Sequence, residues 1–325
     1  MMRERKEQNA RVLVKSRLND TKVTLRTLSL GATSVSLENH ADYPVHSKCS
    51  ILGARLTPSC NGLTCLYSET FVYVINPATR WYRELPEARV QALLRDTVTQ
   101  NDFRPFPLPG FGKDNITGIY KLVWLYNSDC FDLEGQTNTC EVFSFDTNNT
   151  WRHDVIVSSP HPTLHHAAPA HAYGCLHWFI DAVTETQILS FDLHTETFTV
   201  LMAKLPLAHA PHDRIAMCTL NDRLCLSEDK GDIQTIWSLN QGNMTWDKIY
   251  SINLRSTLPC IEEEFLLSEP PITSLFNNNL LLYDCCDDKS KLVLYNYRLN
   301  SFSFFTFSFC LAEAISFSQS LITLP

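Results

Sequence analysis

The stretch Val72–Trp81, VYVINPATRW, decides how this chain folds. Tyr73 and Ile75 stand two residues apart, so a strand would place both on one face. Asn76 comes immediately after, a residue whose side chain bonds its own backbone two residues on and so starts a tight turn. Thr79 keeps that turn polar, and Trp81 opens a return strand on which its ring can lie against the sheet. The ten residues spell a β-hairpin.

The same pattern recurs in Val142–Trp151, Ile188–Phe198, Ile236–Trp246 and Leu292–Phe302. The apolar pairs are Phe143/Phe145, Leu189/Phe191, Trp237/Leu239 and Val293/Tyr295. The turn residues are Asp146, Asp192, Asn240 and Asn296, and the aromatics are Trp151, Phe198, Trp246 and Phe302. Ahead of each hairpin comes a second turn signal feeding a short apolar strand: Asn61-Gly62, Thr117-Gly118, Tyr173-Gly174, Asn221-Asp222 and Asn277–Asn279. With one more strand before the first turn, the unit is a four-stranded antiparallel blade. Such a blade cannot bury both faces alone, whereas a radial stack can. The turn residues Asn76, Asp146, Asp192, Asn240 and Asn296 are spaced by 70, 46, 48 and 56 residues, against roughly 40–50 for a propeller blade. The expected fold is therefore all-β, a propeller-like array of about six irregular four-stranded blades. The wide first gap marks an insertion around Gln91–Gly112 with a proline-rich loop at Pro105, Pro107 and Pro109, and Glu87–Arg95 reads as one short helix. Gly110-Phe-Gly112 is expected to support a turn entering a strand.

Composition agrees with an ordered chain of 325 residues: 44% hydrophobic, 19% charged. A net charge of −8 makes nucleic acid a poor partner. No apolar run approaches the roughly 20 residues of a membrane helix. Met1–Asp20 is polar, without the apolar centre of a secretory leader, and is expected to be a frayed segment ahead of a domain over residues 21–325. The twelve cysteines contain no C-x-x-C pair and read as buried thiols of a reducing compartment, cytoplasm or nucleus.

No nucleotide loop, hydrolase elbow or zincin motif occurs, so no catalytic residue, cofactor or metal site is expected. The densest histidine group, His161, His165, His166 and His171, sits among prolines without metal-ligand spacing and reads as a polar loop. Asp284-Cys285-Cys286-Asp287-Asp288 reads as a hairpin loop, since adjacent cysteines do not both easily ligate one tetrahedral ion. Ser144–Trp151 is similar to the Asp-box of sialidase propellers, itself a structural turn. Trp81, Trp151, Trp178, Trp237 and Trp246 are expected in the core. The binding surface is assigned to the inter-strand loops Asn127–Thr139, Ser158–Ala172 and Glu262–Pro271, which repeat least.

Ser59–Pro86 (SCNGLTCLYSETFVYVINPATRWYRELP), Gly110–Ser128, Cys140–Arg152, His171–Phe179, Ile188–Leu201 and Ile236–Ile252 resemble, in order, the blocks of the kelch-like F-box-associated domain of plant F-box proteins, with the resemblance running from about Lys22 to the end. That resemblance implies a protein–protein interaction module holding an unknown target for a Skp1–cullin–F-box ubiquitin ligase, with any ligase activity belonging to the complex. Val12–Leu30 resembles the segment C-terminal to an F-box, and Met1–Asp20 is too short and polar to be one, so a Skp1-like adaptor is expected only for a longer form. The alternatives are a sialidase-like glycan hydrolase, which would need arginines and carboxylates converging on the propeller axis, and a non-functional remnant.

Overall fold

A computed structural model describes residues 10–19, 22–31, 34–44, 53–99, 106–134, 137–146, 149–164, 167–182, 185–207, 210–231, 233–253, 273–275, 279–284, 291–307 and 312–324. The strands run β1 (Ala10–Asn19), β2 (Lys22–Leu30), β3 (Val35–Pro44), β4 (Arg55–Leu56), β5 (Thr64–Tyr67), β6 (Val72–Asn76) and β7 (Trp81–Glu84). A helix, α1 (Arg89–Thr99), precedes β8 (Gly110–Lys113), β9 (Tyr120–Asn127), β10 (Asn138–Ser144) and β11 (Trp151–Arg152). Next come β12 (Ala170–Ala172), β13 (Cys175–Ala182), β14 (Glu185–Asp192) and β15 (Phe198–Val200). The chain continues through β16 (Ile215–Leu220), β17 (Arg223–Asp229), β18 (Ile233–Asn240) and β19 (Thr245–Asn253). It ends with β20 (Thr273–Leu275), β21 (Asn279–Asp284), β22 (Lys291–Asn296), β23 (Ser301–Thr306) and β24 (Glu313–Phe317).

These strands make six antiparallel sheets of four. Blades two to six are β4–β7, β8–β11, β12–β15, β16–β19 and β20–β23, each in sequence order; blade one has the order β24-β1-β2-β3. The first strands of neighbouring blades lie side by side, β8 against β12, β12 against β16, β16 against β20 and β24 against β4. They surround the axis of a six-bladed propeller. Each seam between blades holds its own apolar core: Leu13, Leu25 and Tyr43 meet Leu66 and Tyr73 at the first, and Val12, Val14 and Leu28 meet Leu281 and Leu292 at the last. Burial on both faces explains why β6 and β9 are buried at every position, while the outer β7 and β19 alternate or lie mostly exposed.

The hairpin chemistry holds residue by residue. Asn76, Asp192, Asn240 and Asn296 accept from the backbone N–H two residues on, at Ala78 (3.0 Å), His194 (2.8 Å), Gly242 (3.0 Å) and Arg298 (3.1 Å). Four residues after each, the backbone turns left-handed at Arg80, Glu196, Met244 and Asn300. The first turns of blades two, four and five have positive φ at both central residues, Asn61/Gly62, Tyr173/Gly174 and Asn221/Asp222, the twist that suits a two-residue hairpin.

Three expectations are corrected. Residues 10–19 are not frayed: β1 pairs with β2 and with β24, and Val12, Leu13 and Val14 are wholly buried. Its polar residues misled, because they are paired: Lys15 meets Glu313 at 2.8 Å and Arg11 meets Glu38 at 2.7 Å. Gly110 and Gly112 form no turn; they lie within β8, the start of blade three rather than the insertion. A Cβ on Gly110 would sit 2.9 Å from Leu176, and one on Gly112 would sit 2.6 Å from His171. Glycine lets blade four approach that closely. The helix expected over Glu87–Arg95 runs over Arg89–Thr99 instead.

Past β24 the chain crosses onto blade two. The Asn76 amide donates to the carbonyls of Ser320 (3.0 Å) and Ile322 (2.8 Å), and Ile322 and Leu324 pack on the core between blades two and three.

Candidate functional site

Antiparallel order divides the connections between two ends of the propeller. Turns after the first and third strands of each blade gather at one end, the turn face. Connections after the second and fourth gather at the other, the loop face. Of the segments expected to bind, 127–139 and 158–172 are of the second kind.

Asn127–Thr139 carries a 3-10 turn at Ser128–Phe131. The described part of Ser158–Ala172 is not a free loop. Asn127 Oδ1 accepts from Thr163 N–H (2.8 Å) and Oγ1–H (3.0 Å), and the Asn138 amide donates to the His161 carbonyl at 2.7 Å. Leu164 N–H bonds the Phe179 carbonyl at 2.9 Å. Residues 159–164 are thereby sewn along blades three and four. Glu262–Pro271 lies outside the described residues.

An axial cavity of about 770 Å³ opens among the turn-face hairpins. Strands β4, β12, β16 and β24 wall it, and Cys60, Asn61, Asn115, His171, Tyr173 and Asp222 are among its polar lining residues. Cys60 Sγ stands 3.9 Å from His171 Nδ1. Burial pushes the Cys60 thiol up to about 12 and the His171 imidazole down. Both are neutral near pH 7, so this pair lacks the thiolate a nucleophile needs. Glu313 also faces the lumen, but it is occupied: Lys15 pairs with it and Leu56 N–H donates to it at 3.0 Å. No lysine or arginine lines the cavity among the described residues. The convergence of arginines and carboxylates that a sialidase requires is not formed by this wall.

The other singled-out residues fall apart spatially. His161 is held on the loop face through its backbone, whereas His171 lies in the axial wall; His165 and His166 are outside the described residues. Among the described residues no group of three His, Cys, Asp or Glu could hold a metal ion. Asp284 ends β21, and 285–288 lie outside the described residues. Ser144 ends β10 and Trp151 opens β11, while 147–148 lie outside the described residues. Trp178 and Trp237 are buried, and Trp81, Trp151 and Trp246 are half-buried against the inter-blade cores.

Sequence reasoning missed the polar joints between blades. Glu141, wholly buried in β10, accepts from Arg89 N–H and Val90 N–H, both at 2.9 Å, and from Tyr126 O–H at 2.5 Å. A carboxylate thus closes the N-terminus of α1 and pins the insertion. Glu196 joins Lys121 (2.7 Å) and Arg152 (2.5 Å) across the next seam. Burial opposes its ionisation, but the bonds from Arg152 and Lys121 outweigh burial and hold its carboxyl below the usual range. The only hint of Glu141 in the sequence is a carboxylate inside an apolar strand.

Residues 11–322 match the family model of the F-box associated beta propeller domain. An F-box protein of Arabidopsis thaliana is 44% identical over 234 residues, covering 70% of this chain and 52% of its own length. An F-box/LRR-repeat/kelch-repeat protein of the same plant is 41% identical, over 82% of this chain and 70% of its own. Another F-box protein of that plant is 36% identical, over 92% and 81%. The chain spans about half the length of the first of these relatives. Among solved structures, the crystal structure of TolB from Acinetobacter baumannii superposes with a TM-score of 0.54 at 8% identity, over 94% of this chain and 66% of that one, a likeness of fold. No helix among the described residues is long and apolar enough to cross a membrane.

Proposed function

The chain belongs to the F-box associated β-propeller family, and from that premise we propose that it is a protein-binding module that holds a target for ubiquitylation by a Skp1–cullin–F-box ligase. The observation that carries this reading is the family match over 11–322, which takes in every strand from β1 to β24 except Ala10. The relatives are F-box proteins by name, and such proteins join a target to the ligase rather than perform the transfer.

The target is received on the loop face. The six inter-blade cores make a rigid scaffold, and connections of unequal length and composition gather at that end, the usual place for recognition on such a scaffold. Blade one supplies the geometric reason. Its strand β1 starts at the turn face, so whatever precedes Ala10 in a ligase adaptor leaves from the end opposite the target. Skp1 contact belongs to an F-box and not to the propeller.

The test is a pull-down with purified Skp1, using the 325-residue chain and a fusion that places a relative's F-box ahead of Ala10. The fusion is expected to retain Skp1 and the chain alone is not. Equal retention of both would overturn the division of labour. Retention of neither would remove the support for a ligase role.

A further inference from the structure

The axial cavity is not needed by the ligase reading, which places its target on the loop face. The cavity nevertheless has the size and chemistry of a site. Its 770 Å³ falls within the roughly 300–1,000 Å³ typical of small-ligand sites. Small residues recur in its lining: Ala168, Ala170, Ala172 and Gly174 along one wall, Ala314 and Ser316 along the opposite one.

The charge balance of the wall then selects a class of ligand. Glu313 is already answered by Lys15. His171 and the Cys60 thiol are neutral. Tyr173 donates its hydroxyl to the Leu239 carbonyl at 3.3 Å. Among the described lining residues Asp222 is the carboxylate without an ion pair; it is exposed at the mouth, on the β16–β17 turn, with φ 59. Asn61, Asn115 and Asn221 also line the cavity, and each carboxamide oxygen is able to accept a hydrogen bond. A lining with that carboxylate and no lysine or arginine among the described residues, on a protein of net charge −8, attracts cations and repels anions.

We propose that the axial cavity is a binding socket for an alkylammonium or guanidinium group, seated with its charge toward Asp222 and its N–H donors among the Asn61, Asn115 and Asn221 carboxamides. Two sources share this chemistry, a lysine or arginine side chain of a polypeptide and a free polyamine. The socket is a property of the chain alone and stands or falls apart from any ligase role.

The test is calorimetric titration of the 325-residue chain with three probes: an acetylated, amidated Gly-Lys-Lys-Gly peptide, spermidine, and the same peptide with norleucine for lysine. The charged probes are expected to bind and the norleucine peptide is not. Asp222→Asn is expected to weaken binding at least tenfold while leaving the thermal midpoint unchanged, since asparagine tolerates the left-handed backbone at that turn. Asp129→Asn, on the opposite face, serves as the charge control and is expected to leave binding unchanged. Binding of the peptide but not of spermidine identifies a polypeptide source, and the reverse identifies a free amine; either supports the socket. Equal weakening by both substitutions would reduce the effect to overall charge and overturn the proposal. Undiminished binding of the norleucine peptide, or no binding of either charged probe, would overturn it as well.

Discussion

Replacing Asn76 by alanine isolates what the C-terminal crossing contributes. Asn76 is fully buried; its side chain accepts from Ala78 N–H within its own turn and donates to the carbonyls of Ser320 and Ile322 in the tail, with a longer contact to Ser320 Oγ at 3.5 Å. Each buried bond is worth about 1 kcal/mol, and a carbonyl left without a donor adds to the loss. The total for Asn76→Ala is about 3–4 kcal/mol. Asn240 offers an internal reference. It has the corresponding place in blade five, is exposed, and makes the same turn bond to Gly242 N–H at 3.0 Å, with no tail across it. Asn240→Ala should cost about 1 kcal/mol. The difference of about 2–3 kcal/mol is the contribution of the tail bonds. Urea denaturation monitored by tryptophan fluorescence measures both variants, and hydrogen exchange at Ile322 shows whether the tail has lifted. If Asn76→Ala costs no more than Asn240→Ala, the tail is not a fastening and the reasoning fails.

His177 is buried between Ser190 Oγ (2.8 Å) and the Ala172 carbonyl (3.3 Å), and burial lowers its pKa from 6.5 to about 4. Because the folded value is the lower one, its stabilising effect is complete above pH 6.5 and is lost as pH falls toward 4, about 3 kcal/mol in all; urea midpoints at about pH 7 and pH 5 should diverge in the wild type and much less in His177→Gln. Gly112→Ala should cost about 1–3 kcal/mol by overpacking the contact with His171 and Leu193, and a thermal midpoint equal to that of the wild type would contradict the close-approach account. Glu141→Ala leaves two N–H groups of α1 and the Tyr126 hydroxyl without their acceptor and should cost about 3 kcal/mol or more, with early proteolytic cleavage within 89–99; Glu141→Gln, which keeps one oxygen, should lose less.

Five blades were legible because each is continuous in sequence and carries its own turn chemistry. Asn76, Asp192, Asn240 and Asn296 act on local backbone, so their effect can be read from a few residues. The first blade could be counted but not located. Its strands lie at opposite ends of the chain, and β24 finds β1 across almost the entire sequence. Its third turn, Gly31–Ser34, has neither the Asn nor the aromatic of the others. The tryptophans were legible as core because a recurring position implies a recurring packing site. The Lys121–Glu196–Arg152 joint and the Glu141 cap were not, because each depends on which blade becomes a neighbour. The axial cavity is a still weaker signal. It forms from the first strands and turns of several blades, and alanine is a common residue whose spacing in 167–172 says nothing without the ring.

Blade one also sets a timetable for synthesis. Strands β1–β3 leave the ribosome first, yet the strand that covers the inner edge of β1 comes about 270 residues later. At roughly 5–20 residues per second that edge waits about 15–50 s with open hydrogen-bonding groups, the condition in which strands pair with wrong neighbours. Arg11 and Lys15, at the two ends of the stretch that later pairs with β24, are charges of the kind that discourage such pairing. The polar character that made this segment look like a loose end thus suits a strand that must remain unpaired, in a crowded cell, until its partner is made.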